Sequence, residues 1–205
     1  MNALLHVCCG PCASACVRRL AESVAASGGG RTALYFANSN LDTEEEYAKR
    51  LESAKRLAAA EGVALAAEPY AHAEWLREVA TGLEDEPERG ERCRRCWRYN
   101  IGKAAAYAAR NGFDAVATSL TVSPHKPSEA VFAAGGAAVR EAAGGRVAFL
   151  REDFKKRGGF ALSVARSREL GLYRQTWCGC EFSRRRGNGL GEGGGTKEKE
   201  EGGAW

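Results

Sequence analysis

The sequence predicts an α/β fold, a parallel sheet with helices on both faces, and three observations carry that reading. Short apolar runs alternate with longer stretches whose apolar residues recur at helical spacing, the strand–helix alternation of parallel sheets. The runs are too continuous to be half-exposed strands, as expected of strands buried on both faces. Residues able to do chemistry cluster just after the runs, where open α/β sheets bind ligands beyond the carboxyl ends of their strands.

The first run is Leu4-Leu5-His6-Val7, and it stops at Cys8-Cys9. Gly10 and Pro11 turn the chain, and Cys12 and Ala13 open a helix that carries Val17, Leu20 and Val24 and ends at Gly28-Gly29-Gly30. Residues 32–37 are the second strand, ending in Asn38-Ser39-Asn40. Thr43 and Glu46 form a capping box for a helix bearing Tyr47, Leu51, Ala54, Leu57 and Ala58, closed by Gly62. The third strand is 63–67, followed by a short helix over 72–81 that packs Trp75, Leu76 and Val79. The charged stretch 84–92 reads as an exposed loop delivering Cys93 and Cys96, with a helix from about Trp97 to Arg110 behind it. Residues 114–118 form the fourth strand, running into the loop from Ser119 through Ser123 to Lys126. A helix over 128–143 follows, weakened by Gly135-Gly136, then a fifth strand at 147–150, the segment Asp153-Phe154-Lys155-Lys156 and a last helix over 160–170. Residues 1–183 are expected to form one catalytic domain, and the Gly- and charge-rich tail 184–205 to be disordered. No internal repeat is visible.

The chain has 205 residues and a net charge of +4, which permits an anionic partner without announcing one. Eight cysteines in that length fall below the density of a disulfide scaffold. No secretory leader and no membrane-length apolar run are recognised, so a cytoplasmic setting with reduced thiols and no membrane partner is expected. There, clustered cysteines point to metal or redox chemistry. Cys8-Cys9, placed where a strand meets a helix N-terminus, sit in a field that favours the thiolate. Cys93-x-x-Cys96 and Cys178-Gly179-Cys180 supply further sulfurs, while Cys16 reads as a small buried residue. Adjacent cysteines and a C-x-C pair match structural zinc poorly, and an iron–sulfur cluster tolerates irregular spacing; both metals stay open on spacing alone.

In these blocks the chain resembles the epoxyqueuosine reductases of the QueH type. The likeness rests on Cys8-Cys9-Gly10-Pro11-Cys12, Glu45-Glu46-Tyr47 with Arg50, and Gly90-Glu91-Arg92-Cys93-x-x-Cys96. It continues through Thr118 to Lys126, Phe149-Leu150-x-x-Asp153-Phe154-Lys155-Lys156, Tyr173-Arg174-Gln175-x-x-Cys178-Gly179-Cys180 and Phe182-Ser183. The resemblance implies a Rossmann-like (HUP-like) sheet and the conversion of epoxyqueuosine to queuosine at the tRNA wobble position. It implies a 4Fe-4S cluster, whose ligands carry over to Cys8, Cys9, Cys93 and Cys96. Cys12, Cys178 and Cys180 remain for a second mononuclear iron, with Cys178 and Cys180 alternatively a redox-active pair. Three departures stand out: Asn100 where the family more often has arginine, Pro127 where His-Lys-Asn is usual, and the tail.

His125, Asp153 and Lys126 are the candidates for proton delivery, His125 for its near-neutral reference pKa. His6, inside the first strand, reads as a packed residue. Asn38, Asn40, Ser119, Ser123, Lys126, Lys155, Arg98 and Arg174 are the candidate substrate contacts at the strand ends and basic segments. Arg92, Arg94, Arg95 and Arg98, interleaved with Trp97 and Tyr99, suit phosphate contact and base stacking in an anticodon loop. Arg184-Arg185-Arg186 would add nonspecific phosphate affinity. A heterodisulfide-reductase-like electron carrier and a zinc-stabilised RNA-binding module are the competing readings, and the electron donor is not legible.

Overall fold

The computed structural model describes residues 1–184. Five strands, β1 (Ala3–Val7), β2 (Thr32–Phe36), β3 (Ala64–Ala67), β4 (Ala115–Thr118) and β5 (Ala148–Phe149), form one all-parallel sheet in the order β3-β2-β1-β4-β5. Parallel neighbours require crossovers, and helices make them. Between the strands run α1 (Gly10–Ala26), α2 (Glu44–Glu61), α3 (His72–Trp75), α4 (Glu91–Arg110) and α5 (Ser128–Ala143), and after β5 come α6 (Gly159–Glu169) and the short α7 (Glu181–Arg184). The strand order reverses between β1 and β4, so the loops after these two strands face each other across the crevice where such sheets bind ligands.

The core divides by strand parity. Ala3, Leu5, Val7, Leu34, Phe36 and Ala117 face α1 and α2, joining Val17, Leu20, Ala54 and Leu57. Leu4, Ala33, Tyr35 and Val116 face α4 and α5, joining Ile101, Ala104, Val131 and Val139. Alternation within each strand, combined with apolar residues at both parities, is the mark of a sheet covered twice. A third, smaller cluster (Trp75, Val79, Ala80, Cys180 and Phe182) fastens the end of the described chain to α3 and the π-turn Leu76–Ala80.

Two expectations are corrected. Cys93 and Cys96 lie in the first turns of α4, which begins at Glu91 rather than near Trp97. Helix is favoured over loop here because Glu91 reaches Arg94 and Arg95 at helical spacing, while Arg92 turns inward to donate to the carbonyls of Leu83 (2.6 Å) and Glu84 (3.2 Å). The capping box is half realised: Thr43 Oγ1 accepts from the Glu46 N–H, but the Glu46 carboxylate goes to Arg50 and Tyr173. Gly135 is accommodated in α5 because the Phe149 ring occupies the space a Cβ would need. The tail 184–205, expected to be disordered, lies outside the described residues apart from Arg184, which pairs with Asp42 at 3.3 Å.

Candidate active site

The first wall of the site is the turn from β1 into α1. Cys9 is the N-cap of α1, its Sγ accepting the Cys12 N–H at 3.4 Å, a role more often played by Ser, Thr, Asp or Asn oxygen. Gln175 donates a second hydrogen bond to the same sulfur at 3.1 Å. Cys8 is held from β4, its N–H donating to Ser119 Oγ at 3.2 Å and its sulfur accepting from that hydroxyl at 3.5 Å. The sulfurs of Cys8, Cys9 and Cys12 all lie within 4.8 Å of one another. Hydrogen bonds from Cys12 and Cys8 hold the Cys9 thiol well below its ordinary pKa, whereas those that Cys12 shares with Cys8 and Cys9, together with burial, drive Cys12 well above. Gly10 lets this turn close: a Cβ there would sit 2.5 Å from the Ser53 carbonyl oxygen of α2.

The second wall is the start of α4. Cys93 accepts the Arg89 N–H at 3.2 Å, and Cys96 accepts from Asn100 Nδ2 at 3.5 Å. Burial raises both thiols, Cys96 most strongly. Asn100 also donates to Asn40 Oδ1 at 3.0 Å and accepts the Ser39 N–H at 3.3 Å, tying the loop after β2 to this wall.

The third wall is the segment from Arg174 to Cys180, folded back over the crevice. Arg50, buried on α2, donates to the carbonyls of Cys178 (3.0 Å) and Trp177 (3.4 Å), while its Nε donates to Glu46 at 2.6 Å. Tyr173 donates to the other Glu46 oxygen at 2.9 Å, and the Asp42 N–H donates to the Gly179 carbonyl at 3.0 Å. His72 bridges Ser39 and Glu181. Gly179 is required twice over: its φ is +116°, and a Cβ would collide with Leu41 and Arg50. Cys178 lines the site; Cys180 packs into the third apolar cluster, where burial pushes its thiol up to about 12.

Cys8, Cys12, Cys93, Cys96 and Cys178 line one pocket at the carboxyl ends of the strands, so three segments distant in sequence converge. All eight cysteines are unbridged. Lys126 lines the same pocket. Burial alone would lower its pKa, but the neighbouring sulfurs of Cys178, Cys8, Cys12 and Cys9 outweigh that and hold it above its ordinary value. A half-buried lysine beside converging sulfurs is the electrostatic setting that an anionic metal–thiolate centre would need, and the all-sulfur donor set is soft. The residues fit a thiolate-ligated metal.

The family model for "Epoxyqueuosine reductase QueH" matches residues 3–186. The chain belongs to this family. Relatives named "Epoxyqueuosine reductase QueH" include one from Streptococcus pyogenes serotype M1, 34% identical over 88% of this chain and 69% of its own length. Those from Histophilus somni (34% identical; 89% of this chain, 72% of its own) and Dehalococcoides mccartyi (32%; 88% and 91%) agree. The family name is that of an oxidoreductase of queuosine biosynthesis, and the chain is an enzyme of that class.

Within this QueH-family site, the predicted residues divide. Asn38, Asn40, Ser123, His125, Lys126 and Arg174 line the pocket with the cysteines. Burial lowers the His125 pKa, assisted by the charges of Arg89 and Lys126. Ser119 stands behind Cys8, and Lys155 donates to the Lys126 carbonyl at 2.6 Å, bracing the loop from outside. Asp153 accepts from the Lys155 N–H at 3.4 Å, capping its own turn rather than lining the pocket. Arg98 is not brought to the pocket; it pairs with Glu141 across α4 and α5. His6 is buried between Thr118 (2.9 Å) and the Ala37 carbonyl (3.1 Å), and Cys16 is buried in the core. At Asn100 the amide bridge described above stands where the family more often has arginine. Pro127 serves as the N-cap of α5. In the sequence Arg50 and Gln175 stand out only as motif members, and Arg89 and Trp177 carry no signal, because the roles of Arg50, Gln175 and Trp177 depend on contacts distant in the chain. No helix among the described residues is long and apolar enough to cross a membrane.

Proposed function

We propose that this chain, with residues 1–183 as one catalytic unit in the cytoplasm, reduces epoxyqueuosine at the tRNA wobble position to queuosine. Loss of the epoxide oxygen as water consumes two electrons and two protons and leaves a carbon–carbon double bond. The observation that carries the reading is the convergence of Cys8, Cys9, Cys12, Cys93, Cys96 and Cys178 around Lys126 at the strand ends. The family membership makes the heterodisulfide-reductase and zinc-module readings the weaker ones.

Cys8, Cys9, Cys93 and Cys96 are the residues assigned to a 4Fe-4S cluster, with Cys12, Cys178 and Cys180 left for a second iron or, for the latter two, a thiol pair. The close grouping of Cys12 with Cys8 and Cys9 makes it a competitor for the same centre. A bound cluster supplies electrons singly at the potential its surroundings set. The chain's own residues do the rest. Cys178 presents a thiol to the pocket while Cys180, two residues on, is kept protonated by apolar packing. His125 and Lys126, both on the pocket, are the proton donors, Lys126 reaching from the loop that Lys155 braces. Asn38 and Arg174 line the space left for the nucleoside, which must be splayed out of its stack to enter.

Two experiments test this. Mass spectrometry of tRNA incubated with anaerobically prepared, reduced protein should show epoxyqueuosine converted to queuosine; a preparation that carries iron yet leaves the nucleoside intact overturns the reading. Replacing Cys178 or Cys180 with serine should abolish turnover with cluster absorbance near native, and unimpaired turnover would remove both from the mechanism.

A further inference from the structure

The arginines around the second cysteine pair are mostly engaged. Arg92 is buried, bonded to two carbonyls and stacked over Phe182 at 4.3 Å. Arg94 and Arg95 face Glu91, and Arg98 faces Glu141. Arg89 is different. It is exposed, lines the pocket, and has no carboxylate partner within ion-pair distance among the described residues. Glu88, its chain neighbour, also lines the pocket.

Arg89 is also conformationally unusual, with φ +70°. The Gly90 N–H donates to the Pro87 carbonyl at 2.9 Å and closes a four-residue turn in which Arg89 is third, a position where positive φ normally selects Gly or Asn. An arginine there persists only where its surroundings over-determine it. Two consequences follow from that backbone: the Arg89 N–H reaches Cys93 Sγ at 3.2 Å, and Gly90 is placed as the N-cap of α4. The guanidinium lies close enough to His125 to act on it electrostatically. The other cations of the pocket are committed elsewhere: Lys126 to the sulfurs, Arg50 to Glu46 and the Cys178 segment, Arg174 to Ser167 Oγ at 3.4 Å.

We propose that Arg89 is the substrate-positioning residue at the pocket mouth: its left-handed backbone directs its N–H onto the Cys93 sulfur, and its guanidinium grips a backbone phosphate beside the reacting nucleoside. This rests on the tRNA reading above. A planar guanidinium matches phosphate in a two-point contact, and phosphate contacts set register rather than sequence. Tethered through one residue to a sulfur of the site, such a grip fixes how deeply the splayed nucleoside enters.

The test uses the full chain, reconstituted anaerobically, with an anticodon stem-loop carrying epoxyqueuosine and dithionite as reductant. Arg89→Gly keeps the turn and removes the guanidinium. Its KM and Kd should rise about five- to tenfold with kcat and cluster absorbance near wild type, and the dependence of log Kd on log salt should flatten by about 0.7 to 1. Arg89→Lys should regain the salt slope but only part of the affinity. Arg89→Val loses the charge and opposes the turn, so it should also retain less iron than Arg89→Gly. Unchanged KM and salt slope in Arg89→Gly overturn the phosphate contact; equal iron retention in the Gly and Val variants overturns the backbone role. A defect that appears only when a protein reductant replaces dithionite assigns Arg89 to electron-donor docking and overturns the proposal. A wild-type protein that neither binds nor converts the stem-loop overturns the activity reading as well, whereas wild-type conversion with an indifferent Arg89→Gly overturns Arg89 alone.

Discussion

The two outer walls of the site hold their sulfurs by different means. Cys8, Cys9 and Cys12 ride on the β1–α1 turn, where a central strand, a helix N-terminus and the Ser119 hydroxyl fix the backbone. The Cys178–Cys180 segment, a strap over the crevice, lies outside the sheet and is held by two side chains, Arg50 on its carbonyls and His72 on Glu181, and by one backbone bond from the Asp42 N–H to Gly179. Sheet and helix hydrogen bonds form cooperatively with the core, so the first wall is as stable as the fold. The strap can open at the cost of a few isolated contacts, which suits a segment that covers a reacting nucleoside.

The largest test of that contrast is Arg50→Ala. It unfastens the strap and leaves the buried Glu46 carboxylate with only Tyr173, which should cost about 3–5 kcal/mol in urea unfolding. Turnover should fall by more than tenfold, and turnover near native would show that the strap is held by something else. Gly10→Ala attacks the first wall instead. Forcing a methyl against the Ser53 carbonyl should cost about 1–3 kcal/mol and separate α1 from α2, read as a lower denaturation midpoint with reduced metal retention. If Gly10→Ala spares metal retention while Arg50→Ala abolishes it, the ranking of the two walls is reversed. His72→Ala removes the bridge between Ser39 and Glu181 and should cost about 1 kcal/mol, with faster hydrogen exchange confined to residues near Glu181. Arg98→Ala breaks an exposed pair with Glu141 and should change stability by no more than about 0.5 kcal/mol; a larger loss would mean α4 is held to α5 by charge rather than by apolar packing.

The residues legible in advance were those whose role is local. Runs such as Leu4 to Val7 and 32–37 announce buried strands by composition, and the cysteine pairs announce metal or redox chemistry by clustering. The α4 start was misplaced because charged residues from Glu84 to Arg92 look solvated until Arg92 is seen capping carbonyls inside the fold. Arg98 and Asp153 were drawn toward the site by residue type, yet each satisfies a neighbour instead.

By itself, the order of runs and breaks determined an α/β chain with parallel strands and cysteines grouped at their carboxyl ends, because those properties depend on periodicity and residue type. Which strands became neighbours, and therefore which cysteines face one another, only the tertiary structure decided. The β1–β4 reversal brings Ser119 and Lys126 beside Cys8, and a single buried guanidinium on α2 draws residues 177–178 across more than a hundred positions of sequence. Contacts of that range leave no periodic trace in the chain, since each depends on the packing of everything between its partners.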